Sequence, residues 1–161
     1  MFRIGLGTDS HAFEKVAAGR KVVLGGVVIP HPLGLDGDSD ADVVLHALFN
    51  AMTSAVGDRG IGFYFKKADM EKGYADSANM IRRALEIISD AGFELVNVSV
   101  ALELKEPKIE PNVPAMKKRM ADILGIIESA IGISATSGDG MSPYAKGEGI
   151  YGQVIVLLQE K

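Results

Sequence analysis

Met1-Phe2-Arg3-Ile4-Gly5-Leu6-Gly7-Thr8-Asp9-Ser10-His11 opens the chain. Phe2, Ile4 and Leu6 alternate with Arg3 and Gly5, the period of a β-strand. Side chains two positions apart on a strand leave from the same face, so Asp9 and His11 present a carboxylate and an imidazole side by side. Such a pair can converge on one cation, and His46 offers a third ligand. A helix histidine is more often a satisfied polar residue than a ligand, so the reading depends on what surrounds these residues.

Working outward, Val22 to Leu24 and Val27 to Ile29 flank Gly25-Gly26 as a hairpin. Pro30, Pro32, Gly34 and Gly37 mark a loop. A helix is expected from near Ser39 to about Val56, with Ser39 and Asp42 spaced as a capping box. In it Val44, Leu48, Ala51 and Ala55 form an apolar stripe, while Asp42, His46 and Asn50 form a polar one whose members could steady the His46 ring. A second helix fits Ser77 to about Asp90, with Gly92 as its stop. Val96, Val98, Val100, Leu102 and Leu104 then alternate with polar residues as a strand. A third helix spans about Pro114 to Leu124, ended by Gly125. Strands follow at Ile131 to Ala135 and Ile150 to Leu158. The last is apolar on both faces, which predicts burial on both sides, by helices or by another subunit.

The 161 residues, 47% hydrophobic and 24% charged, fit one domain over 1–161. With no cysteine, thiolate metal sites, disulfides and cysteine nucleophiles are excluded; His11, His31 and His46 are the only imidazoles. No apolar run is long enough to span a bilayer, and the N-terminus lacks a signal-peptide layout. The net charge of −4 argues against nucleic-acid binding. A cytoplasmic protein, or a plastid-type one after loss of a transit peptide, is therefore expected, and any anionic ligand must be met by metals and local lysines.

Three familiar motifs fail. Asp36, Asp38, Asp40 and Asp42 begin like a calcium loop, but Ala41 and Ala47 stand where it needs Gly and Glu. Gly5 and Gly7 lack the third glycine and the helix of a dinucleotide fingerprint. Gly138 to Gly149 lacks the Walker ending; composition favours a plain surface loop there, with phosphate binding through backbone amides as the alternative.

Taken together, Arg3-Ile4-Gly5, Gly7 to Phe13, Leu24-Gly25-Gly26, Ile29-Pro30, Ser39 to Asp42 and Leu45 to Leu48 resemble the 2-C-methyl-D-erythritol 2,4-cyclodiphosphate synthase family. The likeness continues in order through Gly57-Asp58, Ala75-Asp76-Ser77, Asn97-Val98, Pro107-Lys108, Ala135-Thr136 and Gly147 to Ile150. It implies an α+β protomer with helices on one face of a mixed sheet, and a homotrimer with active sites between subunits. It also implies Zn2+ or another divalent transition metal on Asp9, His11 and His46, and Mg2+ or Mn2+ on Asp139, where the family has Glu. The implied reaction is metal-dependent closure of 4-diphosphocytidyl-2-C-methyl-D-erythritol 2-phosphate to the cyclic diphosphate with release of CMP.

Substrate contacts implied by the same likeness fall on Asp38, Ser39, Asp58, Gly60, Pro107, Lys108, Ile109, Glu110, Thr136, Ser137 and Lys146. Asp38 replaces a family His, Lys146 an Arg, and Arg59 an apolar residue. Phe63-Tyr64-Phe65 departs from Phe-Pro-Asp, and a two-residue shift would align Phe65 and Asp69 instead. A noncatalytic nucleotide- or isoprenoid-binding protein of the same fold, or another metal-dependent phosphohydrolase, are the alternatives these departures leave open.

Overall fold

Backbone pressed against backbone sets the architecture. In the computed structural model, which describes residues 1–161, strand β1 (Phe2–Ala12) carries Asp9 and His11 near its end. Gly5 and Gly7 lie on the same face of β1, where helix α1 (Val43–Ala55) crosses directly over them. A Cβ on Gly7 would stand 2.1 Å from the Ala47 carbonyl oxygen, and one on Gly5 would stand 1.9 Å from that of Ala51. Only glycine permits this approach, which sets His46 of α1 over Asp9 and His11.

The remaining elements in chain order are β2 (Val22–Leu24), β3 (Val27–Ile29), α2 (Ile61–Tyr64), α3 (Ser77–Asp90), β4 (Phe93–Glu103), α4 (Val113–Leu124), β5 (Ile131–Thr136), α5 (Pro143–Lys146) and β6 (Gly149–Glu160). Four strands form a mixed sheet in the order β1-β6-β4-β5; β6 is antiparallel to both neighbours and β5 parallel to β4. The β2–β3 hairpin stands apart, turning through Gly25 and Gly26 at φ of 60° and 75°. Helices α1, α3 and α4 cover one face, where Val98, Val100, Leu102, Val154, Val156 and Leu158 join their apolar sides in one core. No helix is long and apolar enough to cross a membrane.

Several sequence expectations need correction. The first helix begins at Val43 rather than near Ser39, because Ala41 sits at φ +56° and breaks any helical run before it. The cap is Asp42, whose carboxylate accepts from Val44 N and Leu45 N. The polar stripe is itself largely enclosed, with Asp42 and His46 buried and Asn50 half-buried. β4 starts earlier, at Phe93, and Val96 falls at a bulge between Leu95 and Asn97, which lets both Phe93 and Val98 face the core. The Gly138 to Gly149 stretch is structured: a tight turn at Gly138–Gly140, then α5, capped by Ser142 Oγ accepting from Ala145 N at 3.0 Å.

β6 is buried on one face only. Its other face, with the outer side of β1, leaves Phe2, Ile4, Leu6 and Ile155 exposed at 67, 72, 52 and 46%. In register, Ile4 pairs with Leu157 and Leu6 with Ile155, so these side chains form a continuous apolar patch on the open side of the sheet.

Asp42 joins two parts of the fold. Its Oδ1 also accepts from Gly25 N at 3.0 Å and its Oδ2 from Gly26 N at 2.6 Å, so one fully buried carboxylate holds the hairpin turn to the start of α1. Burial pushes its pKa up to about 6, against the opposing pull of these amide donors. Asp42→Ala orphans four N–H groups and is expected to cost about 3–5 kcal/mol, whereas Asp42→Asn keeps an acceptor for the Oδ1 donors and costs about 1–2 kcal/mol. Chemical denaturation of the two variants checks this order.

Candidate active site

The strand places Asp9 and His11 on one face and the helix lowers His46 onto them. Asp9 Oδ2 stands 3.1 Å from His11 Nε2 and 3.1 Å from His46 Nδ1, and the two nitrogens are 3.3 Å apart. Ligands at about 2.0–2.2 Å from a tetrahedral centre stand about 3.3 Å apart, so these three atoms have the spacing of one face of such a site. The donor set fits a divalent transition metal with one position left for an outside ligand.

The ring orientations agree. His11 Nδ1 lies 2.6 Å from the Asp36 carbonyl oxygen, which can only accept, so Nδ1 carries a proton and Nε2 is the nitrogen turned toward Asp9. The loop carrying that carbonyl is clamped by Arg20, which donates to the carbonyls of Leu35 at 2.7 Å and Ser39 at 2.5 Å. His46 Nε2 meets Ser77 Oγ at 2.9 Å and Ser39 Oγ at 3.2 Å. The partners steadying His46 are therefore these serines, not the Asp42 and Asn50 of its own helix. Asn50 instead accepts from Ile61 N at 2.8 Å and donates to Thr8 O at 3.3 Å.

Burial would raise the Asp9 pKa, yet the two imidazoles beside it, His11 and His46, outweigh burial and hold the carboxyl below its ordinary value. For His11, burial acts to lower the pKa and the bond to Asp9 more than reverses it. His31 takes no part; it stacks on Phe13 with ring centroids 4.5 Å apart.

A cavity of about 250 Å³ opens beside the triad. Asp38 and Ser39 line it, as do Lys66 and Lys67, which the sequence reading did not single out. Two adjacent cations after the aromatic run Phe63-Tyr64-Phe65 were the available signal. Lys67 Nζ pairs with Asp38 Oδ1 at 3.3 Å, so the negative charge of Asp38 is met by a local lysine.

A second cavity, of about 200 Å³, collects Pro107, Lys108, Ile109, Glu110, Thr136 and Ser137. It shares no lining residue with the first. Asp58 and Gly60 line neither; Asp58 accepts from Tyr64 Oη at 2.5 Å and from Arg59 N at 2.7 Å just before α2. Asp139 is exposed in the turn after β5 with φ of 49°, 3.2 Å from Ser137 Oγ, and Lys146 is exposed at the end of α5. The structure thus brings most of the predicted residues together in two groups, and leaves Asp58, Gly60, Asp139 and Lys146 outside both.

Comparison with known proteins finds relatives along the whole chain. Residues 2–159 match the YgbB family. The chain is 40% identical over 159 residues to a 2-C-methyl-D-erythritol 2,4-cyclodiphosphate synthase of Moorella thermoacetica, covering 99% of this chain and 96% of that protein. The bifunctional IspDF of Campylobacter jejuni superposes with a TM-score of 0.91 at 29% identity; all of this chain is covered, and it spans 43% of that longer one. A CDP-bound 2C-methyl-D-erythritol-2,4-cyclodiphosphate synthase gives a TM-score of 0.87 at 30% identity, covering 98% of this chain and 100% of that one.

Proposed function

The chain belongs to the YgbB family, and from that premise we propose that it converts 4-diphosphocytidyl-2-C-methyl-D-erythritol 2-phosphate to 2-C-methyl-D-erythritol 2,4-cyclodiphosphate and CMP, a step of non-mevalonate isoprenoid biosynthesis. The observation that carries this reading is the convergence of Asp9 Oδ2, His11 Nε2 and His46 Nδ1 at the wall of a cavity that also presents two lysines.

In the reaction an oxygen of the 2-phosphate forms a bond to the β-phosphorus, and the bond from that phosphorus to the bridging α-phosphate oxygen breaks, releasing CMP. No protein nucleophile and no water enters. Catalysis therefore rests on neutralising charge and aligning the attacking and leaving oxygens. We assign zinc or another divalent transition metal to Asp9, His11 and His46, and magnesium or manganese to Asp139. Bound cations supply the Lewis-acid charge that the phosphates need. Lys66 and Lys67 add positive charge at the first cavity, and Ser39 offers a hydroxyl to a phosphate oxygen. Pro107 to Glu110, with Thr136 and Ser137, shape the second cavity for the cytidine end, Lys146 adding a charge nearby. Asp58 and Gly60, near the mouth of α2, are assigned to the methylerythritol portion.

We further propose a homotrimer in which one protomer's first cavity faces a neighbour's second, joining the two groups of residues into one site. Two observations support it: the groups lie in separate cavities within one chain, and the sheet leaves an apolar patch uncovered. Replacing Ile4 and Leu6 together by lysine is expected to shift sedimentation from three chains to one. It should abolish CMP release while leaving cation binding by the triad intact; an unchanged trimer would count against this use of the face.

The assay for the function itself follows CMP and the phosphorus products by 31P NMR, with and without chelator. Metal-dependent formation of the cyclic diphosphate is expected. Inorganic phosphate or an open diphosphate would identify a phosphohydrolase, and binding without turnover a noncatalytic protein.

A further inference from the structure

The hydroxyl nearest His46 belongs to a chain of hydrogen bonds that no part of the proposed reaction uses. Ser77, the first residue of α3, is fully buried, and His46 is 7% exposed, so water does not compete for their contact. Asp40 receives three donors. Its Oδ1 accepts from the Ser77 hydroxyl and from Asp42 N at 3.2 Å, and its Oδ2 accepts from Ser77 N at 3.0 Å. The Asp40 amide in turn donates to the Ala75 carbonyl at 2.9 Å, which locks the segment before α1 to the segment before α3.

An ionised carboxylate can only accept, so the Ser77 hydroxyl proton points to Asp40. That leaves Ser77 Oγ with lone pairs toward His46 Nε2 at 2.9 Å, and the imidazole must supply the proton. Protonation at Nε2 leaves a lone pair on Nδ1, the atom that faces Asp9 Oδ2 at 3.1 Å and His11 Nε2 at 3.3 Å. The opposing influence is Asp9 itself, whose carboxylate attracts a proton to Nδ1. We propose that Asp40 and Ser77 are positioning residues that hold the His46 ring as its Nε2–H tautomer, with Nδ1 aimed at the cation. The Asp36 carbonyl does the same for His11 through a single backbone contact. His46 needs a two-residue relay because its outer nitrogen points inward to the junction of two helices, where no carbonyl is in reach.

The proposal rests on the metal reading of the triad, but its test does not depend on turnover. Long-range 1H–15N spectra of the metal-free chain, taken under mildly alkaline conditions, report which nitrogen of each imidazole carries the proton. The wild type is expected to show His46 protonated at Nε2. Ser77→Ala should move a substantial share of it to Nδ1 and weaken cobalt or zinc affinity, measured by chelator competition, by roughly 10- to 100-fold. Asp40→Asn, which cannot accept all three donors, should shift both readouts the same way and serves if Ser77→Ala fails to fold. Retention of the Nε2–H signal with affinity within twofold of wild type in either folded variant overturns the relay. A loss in Ser39→Ala alone would transfer the role to Ser39 and overturn it too. If the chain binds neither cobalt nor zinc, the metal reading fails separately, and the tautomer spectra still decide the relay.

Discussion

Gly7→Val leaves the chain without a cooperative thermal transition, and Gly7→Ala, the addition of a single methyl group, already costs at least about 3 kcal/mol. The added Cβ would meet the Ala47 carbonyl oxygen at 2.1 Å, Ala51 N at 2.4 Å and the Asn50 carbonyl carbon at 2.9 Å. All three are backbone atoms in the middle of α1, so no side chain can rotate away. Relief requires lifting the helix from β1 and β6, which opens the core around Leu45, Leu48, Phe49 and Met52. Domain stability is only about 5–15 kcal/mol, so a loss on that scale is visible at once. The displacement also separates His46 from Asp9, so any folded remainder should bind cations poorly. Gly62→Ala is the control: it has nothing within 4 Å of its added Cβ and should change stability by less than about 1 kcal/mol. Circular dichroism melts of the three variants decide the matter; a Gly7→Ala transition close to wild type would show that α1 does not need backbone contact with β1.

That contact marks the limit of what the sequence revealed. Period two in Phe2 to Leu6 identifies a strand, but it does not say which face is buried. The large apolar side chains point to the open side, and the buried face is the one carrying Gly5 and Gly7, because the space there belongs to the backbone of α1. Hydrophobicity misleads wherever a helix packs onto glycine. β6 shows the complementary case, in which two apolar faces were legible, yet the helices of one chain cover only one of them. The helix ends were read well where glycine or capping chemistry fixes them, as at Asp90 and Leu124, and poorly at Ser39, where Ala41 adopts a conformation that alanine seldom takes.

For the site, the strand pair was legible because i and i+2 is a local rule. His46 was legible as a partner of that pair only in combination, since its approach to Asp9 depends on the crossing of two elements far apart in sequence. Ser77 and Asp40 could not be assigned to it, because their meeting depends on the packing of α3 against α1. Lys66 and Lys67 were obscured by the altered aromatic segment before them. Asp38 drew attention as a departure from the resembling family's pattern, and its pairing with Lys67 shows how its charge is met.

His46→Ala is expected to lower CMP release by roughly 10³-fold or more and to weaken cation binding at least as severely as the loss of Ser77. The ring provides one of three converging donors, and no other side chain of α1 can replace it: Asp42 is committed to four backbone amides and Asn50 to Thr8 and Ile61. The helix itself should survive, because its position is set by the glycine contact and the apolar core. The variant should therefore keep a cooperative melt, with a loss of about 1–3 kcal/mol for the space left behind and the unpaired serine hydroxyls. Asp9→Asn tests the same unit from the other side, preserving shape while removing the charge that His11 and His46 stabilise. If the three residues act on one cation, either change already destroys the site, and the double variant should lose little more than the worse of the two. Losses that multiply instead, together with cation affinity unchanged in His46→Ala, would show that Asp9 and His46 serve separate purposes and that the triad is held together only by its own charges.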